Sequence, residues 1–217
     1  MSLKSFKDKY SVPVVSDIEG FYFSLDGGGR ELIAETLHKH NIKLMVEVGS
    51  FLCGSTIQWL DMDDQLQIIG VDPWTGDWAS ILDRYIDNPV FETCWAKISD
   101  RQSVVDSVRK HGPWMSSMAN VQDYRDRFFP VQARSPEFLY TLKEEGVVPD
   151  LMYFDNDKTL EDLNVAHELF PNAILSGDDW RWGADQGFPV QKAVNDFCKR
   201  MGFEVEARRA TWVLTKK

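Results

Sequence analysis

The sequence predicts an α/β protein. Its sheet is open, mostly parallel and seven-stranded, with helices on both faces and a C-terminal antiparallel strand pair. Three observations carry this reading. From residue 31 onward, short apolar runs alternate with stretches of helical spacing. Two of those runs, Leu44–Val48 and Gln67–Val71, lead into turn or acidic residues at their carboxyl ends. Finally, Phe203–Ala207 and Thr211–Leu214 flank Arg208-Arg209-Ala210, as two neighbouring strands would.

Taken in order, residues 1–30 carry mixed charge with little punctuation and read as a loose N-terminal leader ending in Gly27-Gly28-Gly29-Arg30. A helix follows from Glu31 to His40, with Leu32, Ile33 and Leu37 on one face. Strand Leu44–Val48 leads to a helix Ser55–Leu60 and to strand Gln67–Val71. Residues 74–126 are the least regular, with helices expected near 79–86, 101–110 and 115–122. Phe128–Gln132 reads as a strand although Pro130 lies within it. Ser135-Pro136-Glu137 has the form of a helix start, with a capping serine, a first-turn proline and an early acid. Strand Leu151–Phe154, helix Leu160–Leu169 and strand Ala173–Leu175 follow. The last helix sets Val190, Val194, Phe197 and Met201 on one face and stops at Gly202.

Composition narrows the function classes. At 217 residues and 43% hydrophobic, the chain supports one sizeable core. No apolar run approaches the roughly 18 residues that a membrane span needs, and Met1–Lys7 lacks the apolar stretch of a signal peptide. The net charge of −10 argues against duplex nucleic acid and against an anionic membrane surface as partners. Cys53, Cys94 and Cys198 are scattered and lack CxxC spacing, which disfavours both a disulfide framework and a zinc site and fits a reducing, cytoplasmic setting.

The strand Leu44–Val48 runs into Gly49-Ser50-Phe51-Leu52-Cys53-Gly54-Ser55, a glycine turn opening a helix. About 20 residues on, Ile68–Asp72 places an acid at the end of the next strand. A carboxylate there is suited to accept two hydrogen bonds from a ribose diol, and Gly49 removes a side chain where a ligand would approach the backbone. The plainer alternative is a tight strand-to-helix turn with Asp72 capping the next helix. A dinucleotide site of the NAD type wants G-x-G-x-x-G, whereas only one glycine stands in the first turn here, and the acid Glu47 would repel a pyrophosphate.

With these residues the chain resembles the class I S-adenosylmethionine-dependent methyltransferases, whose fold is Rossmann-like. Val46-Glu47-Val48-Gly49-Ser50 through Gly54-Ser55 looks like their first motif and Val71-Asp72 like their ribose-binding acid. The resemblance covers roughly residues 30–217 and is closest to the catechol, caffeoyl-CoA and macrocin types of small-molecule O-methyltransferase. It implies a single methyltransferase domain over 1–217 that binds S-adenosylmethionine through Glu47, Gly49, Ser50, Ser55, Asp72, Pro73, Trp74, Arg134, Ser135 and Asp155.

Two acidic clusters close later strands: Asp155-Asn156-Asp157-Lys158 and Asp178-Asp179. Converging carboxylates repel unless they share a cation, and hard oxygen ligands select Mg²⁺ or Ca²⁺. The alternative is that Asp157 caps the helix near Thr159 and Asp178-Asp179 form an ordinary loop. The resemblance implies Asp155, Asp178 and Asp179 as ligands of Mg²⁺. For the base it implies Lys158 on the catechol pattern and Asp157 on the macrocin pattern; this sequence carries both.

Trp74, Trp78, Trp180 and Trp182 follow the second strand and the Asp178-Asp179 pair; they read either as a wall of the site or as lid packing. Trp59 reads as core, and His38, His40, His111 and His167 as surface or helix residues. Residues 76–112 read as a lid or insertion, or as a contact between copies in a homo-oligomer. The expected activity is methyl transfer to a small-molecule hydroxyl. An NAD-type oxidoreductase and a non-catalytic nucleoside-binding protein on the same fold are the alternatives.

Overall fold

The apolar runs are central strands buried on both sides, which is why they lack the alternation of a half-exposed sheet. In the computed structural model, which describes residues 3–156 and 159–216, five strands run parallel. They are β1 (Leu44–Val48), β2 (Gln67–Asp72), β3 (Phe128–Gln132), β4 (Leu151–Phe154) and β5 (Ile174–Gly177). The hairpin β6 (Phe203–Arg208) and β7 (Thr211–Lys216) completes the sheet, with β7 antiparallel to β5. The order across the sheet is β3-β2-β1-β4-β5-β7-β6. Winding reverses between β1 and β4, and a reversal of this kind opens a crevice at the carboxyl ends of the strands. Pro130 is accommodated because β3 is an edge strand, where a missing N–H leaves no neighbour unsatisfied.

Helices α2 (Glu31–His40), α3 (Gly54–Met62), α4 (Trp78–Tyr85) and α5 (Arg101–Asn120) share one apolar core with Met45, Ile68, Leu151 and Tyr153 of the sheet. Helices α6 (Glu137–Glu144), α7 (Leu160–Leu169) and α8 (Pro189–Met201) share the other with Val46, Val48, Ile69, Met152 and Phe154. The two helices expected near 101–110 and 115–122 are the halves of α5, which kinks where Gly112 takes φ 79° and ψ 167° ahead of Pro113. α8 ends as expected, with Gly202 in the left-handed region at its C-cap. No helix among the described residues is long and apolar enough to cross a membrane.

Two local expectations change. The described part of the expected leader is packed on the fold: α1 (Leu3–Lys9) docks on α6, with Phe6 fully buried against Phe138 and Lys9 paired to Glu145 at 2.6 Å. A single heptapeptide helix has too few apolar residues for its periodicity to be read, and its stability comes from this docking. Ser135 does not cap α6; Pro136 stands at the N-cap without a side-chain hydrogen bond. The Ser135 hydroxyl instead donates to Asp162 at 2.5 Å, and Asp162 completes a capping box with Thr159 at the start of α7.

Candidate functional site

A cavity of about 490 Å³ opens at the carboxyl ends of the parallel strands, within the size range of sites for cofactors and small ligands. Of the residues the sequence proposed, Gly49, Ser50, Ser55, Asp72, Pro73, Arg134, Ser135, Asp155, Asp178 and Asp179 line it. Distant segments are brought together because each follows the end of a parallel strand or opens the next helix.

The Asp72 carboxylate is fixed from both sides. It accepts the backbone N–H of Phe51 at 3.0 Å and that of Trp74 at 2.7 Å. Burial pushes its pKa up, while these two donors and the charge of Arg134 oppose that rise. Each oxygen keeps a lone pair for a further donor, so the group is pre-aimed rather than consumed.

Beneath it, the loop after β1 is pinned to α5 and β2. The Phe51 carbonyl accepts the Trp74 indole N–H at 2.9 Å and the Ser117 hydroxyl at 2.9 Å, and the Leu52 carbonyl accepts Asn120 Nδ2 at 3.0 Å. Phe51, Cys53, Trp74 and Asp179 all hold left-handed φ values, an uncommon conformation for residues other than glycine. Strained backbone of this kind tends to gather at ligand sites.

Glu47 and Trp74 do not line the cavity. Glu47 is fully buried beside its sheet neighbours Gly70 and Tyr153 and accepts the Thr56 hydroxyl from α3. Burial raises its pKa, with the Ser55 and Thr56 hydroxyls opposing. It therefore holds the turn from behind. Trp74 commits its indole N–H to Phe51 and its ring to Trp114, edge-on at 5.1 Å. Trp78 does face the cavity, packed on Phe51 at 4.5 Å between ring centroids. Trp182 is exposed and Trp180 is part of the α8-side core, so neither walls the cavity. Trp59 is core, and none of the four histidines reaches the cavity.

Gly49 lines the cavity and serves a second purpose besides. It adopts φ +93°, and a Cβ there would lie 2.2 Å from the Asp155 carbonyl oxygen, so the turn packs closely on the end of β4. At Gly54 a Cβ would meet the Phe23 carbonyl at 2.1 Å. That contact exposes a part of the site the sequence reading missed. Phe23, Ser24 and Leu25 cross the start of α3 and line the cavity, together with Arg30.

Arg30 is 3% exposed. Its guanidinium donates to Ser24 Oγ at 2.7 Å, Gln58 Oε1 at 2.9 Å and the Leu25 carbonyl at 2.9 Å, lies over the Trp59 ring at 5.6 Å, and stands 3.8 Å from Asp178 Oδ2. An arginine directly after three glycines was the one available signal, and it read as part of a leader.

Asp178 is buried, and desolvation with the charge of Asp155 pushes its pKa up to about 7 against the opposing pull of Arg30. Its Oδ1 is among the buried polar atoms without a hydrogen-bond partner. Among the described residues, no three Asp, Glu, His or Cys side chains converge to hold a metal ion. Asp155, Asp178 and Asp179 line one cavity. Asp157 and Lys158 lie outside the described residues.

No family model and no curated protein matches the chain. Solved structures do. One is an O-methyltransferase from Bacillus cereus in complex with SAH, 15% identical, covering 98% of this chain and 86% of the other with a TM-score of 0.52. Another is a Staphylococcus aureus protein provisionally assigned as a caffeoyl-CoA O-methyltransferase, 13% identical over 99% and 90% of the two chains with a TM-score of 0.52. A third is the O-methyltransferase TomG from Streptomyces achromogenes, involved in tomaymycin synthesis and in complex with SAM, 13% identical over 88% and 80% with a TM-score of 0.51. At these identities the likeness establishes the fold: a Rossmann-like, methyltransferase-type sheet.

Proposed function

We propose that the protein is an S-adenosylmethionine-dependent methyltransferase, a single domain over residues 1–217, acting on the hydroxyl of a small molecule. The observation that carries this reading is Asp72, clamped by two backbone N–H groups at the end of β2 and lining a cavity beside the turn of Gly49 and Ser50. A buried, pre-oriented carboxylate in that place suits a ribose diol. Structures of the same fold that hold SAM or SAH support the reading.

Bound there, S-adenosylmethionine would supply a methyl group on a positively charged sulfur. The residues of this chain do the rest. Asp72 would accept the ribose hydroxyls, Ser50, Ser55, Pro73 and the backbone at Gly49 would line the nucleoside and its tail, and Arg134 and Ser135 would flank the adenine. Asp155 stands where the β1 turn meets the acidic end of the cavity. Asp157 or Lys158 would take the proton of the acceptor hydroxyl. Holding acceptor and methyl donor in line accounts for most of the acceleration in such a reaction. Trp78 and Phe51 give the mouth an aromatic wall for a flat acceptor, and residues 76–112, to which Trp78 belongs, would act as its lid.

The expected Mg²⁺ does not fit the described side chains. Among the described residues no group of three Asp, Glu, His or Cys side chains is disposed to hold a metal ion, and a protein cation already faces Asp178. No step is assigned to a metal.

Calorimetric titration with S-adenosylhomocysteine, in Mg²⁺ and again in EDTA, tests the proposal. One-site binding is expected in both; absence of binding would sink the methyltransferase reading.

A further inference from the structure

We infer that Arg30 is the resident counter-charge of this site, standing where a divalent ion would otherwise balance the strand-end carboxylates, and that the pocket therefore works without a metal. The inference rests on the methyltransferase reading for its function, though not for its geometry. Burying a guanidinium is strongly unfavourable unless it is hydrogen-bonded and paired. Here three neutral acceptors, Ser24 Oγ, Gln58 Oε1 and the Leu25 carbonyl, fix the head group at 2.7 to 2.9 Å. None of them neutralises its charge.

The charge is balanced by two acids. Asp26 Oδ1 lies 3.6 Å from Nε and is 41% exposed, so water screens it. Asp178 Oδ2 lies 3.8 Å from Nη2, and both of those side chains are 4% exposed. In a setting that dry the pair is coupled far more strongly than a surface pair. Arg30 and Asp178 both line the cavity, which places a buried cation at its acidic end beside Asp155 and Asp179.

A second cation at the same spot would be repelled. A divalent ion bound by Asp178 would sit within a few ångströms of the guanidinium, and a fixed positive charge at such a distance weakens cation binding severely at low dielectric. Arg30 is thus a positioning residue. It favours the charged form of Asp178 against burial and the neighbouring Asp155, and it does so without occupying a coordination site that substrate oxygens would need to share.

Mn²⁺, followed by its electron paramagnetic resonance signal, tests this directly on the full chain. The wild type should take up no stoichiometric Mn²⁺, and Arg30→Met should gain affinity by at least about tenfold through loss of the repelling charge. Arg30→Lys, which keeps the charge, should stay blind to Mn²⁺. One Mn²⁺ per wild-type chain, removed by EDTA and lost in Asp178→Asn, would overturn the inference; so would a folded Arg30→Met that gains nothing. If Arg30→Met does not fold, the wild-type and Arg30→Lys titrations decide by the same criteria. S-adenosylhomocysteine titrated into the same wild-type sample reports the methyltransferase reading separately, because its binding needs no assumption about the cation.

Discussion

Gly49 approaches the Asp155 carbonyl so closely that a Cβ added to it would stand 2.2 Å from the oxygen. The turn after β1 and the end of β4 are therefore one packed unit, and the glycine is fixed by backbone contact and by its φ of +93°. Gly49→Ala should destabilise the protein by roughly 2–4 kcal/mol, since both the conformation and the space are denied to a side chain. Urea denaturation measures this. A loss below about 0.5 kcal/mol, the range of a neutral surface substitution, would show that β4 can move away.

Asp72 should govern cofactor affinity. Asp72→Ala removes the acceptor for the Phe51 and Trp74 N–H groups and, in the proposed complex, for the ribose hydroxyls. A fall of about 10- to 100-fold in S-adenosylhomocysteine affinity is expected, the value of one or two charge-assisted hydrogen bonds. Calorimetry of the folded variant decides. Unchanged affinity would place the ribose elsewhere.

Glu47 makes a pH prediction. Burial raises its folded pKa above the ordinary 4.5, and the Thr56 hydroxyl is among the groups that oppose the rise. A raised carboxyl contributes no penalty below the unfolded value, where both states hold the proton. The penalty grows as pH climbs from there towards the folded pKa, because the unfolded chain releases its proton first. Thr56→Val removes a donor to the charged form, so its destabilisation should be greater at pH 8 than at pH 5. Equal losses at the two values would mean that Glu47 does not titrate with folding.

Phe6 tests whether residues 3–9 belong to the fold. The side chain is fully buried, 4.5 Å from Tyr10 and 6.5 Å from Phe138 between ring centroids. Phe6→Ala should lower stability by about 3–5 kcal/mol, as for aromatic residues removed from a core. A change typical of an exposed residue would return α1 to the status of a leader.

The strand cores and most helices were legible because burial on both faces demands continuous apolar runs, and helices announce themselves by period; β1, β3, β4, α2 and α7 match their expected limits. Asp72 and Gly49 were legible as positions, since a strand end fixes where a residue lies along the crevice. Which way a side chain turns was not. Glu47 and Asp72 both stand near the ends of adjacent strands, yet one supports the turn from behind and the other lines the cavity. Arg30 was signalled only by its place after three glycines, for its partners Ser24, Gln58 and Asp178 come from three separate segments.

By itself, then, the sequence determined the layered sheet, the strand ends at which a ligand would lie, and the identity of the acids delivered there, because these follow from local hydrophobic pattern and turn chemistry. Only the tertiary structure decided how the charges in that crevice are balanced. Electrostatic compensation depends on through-space distances of a few ångströms between residues as far apart as 30 and 178, and on the dryness of the place where they meet. That is how an acidic cluster that reads as a metal site along the chain comes, once folded, to face a buried guanidinium.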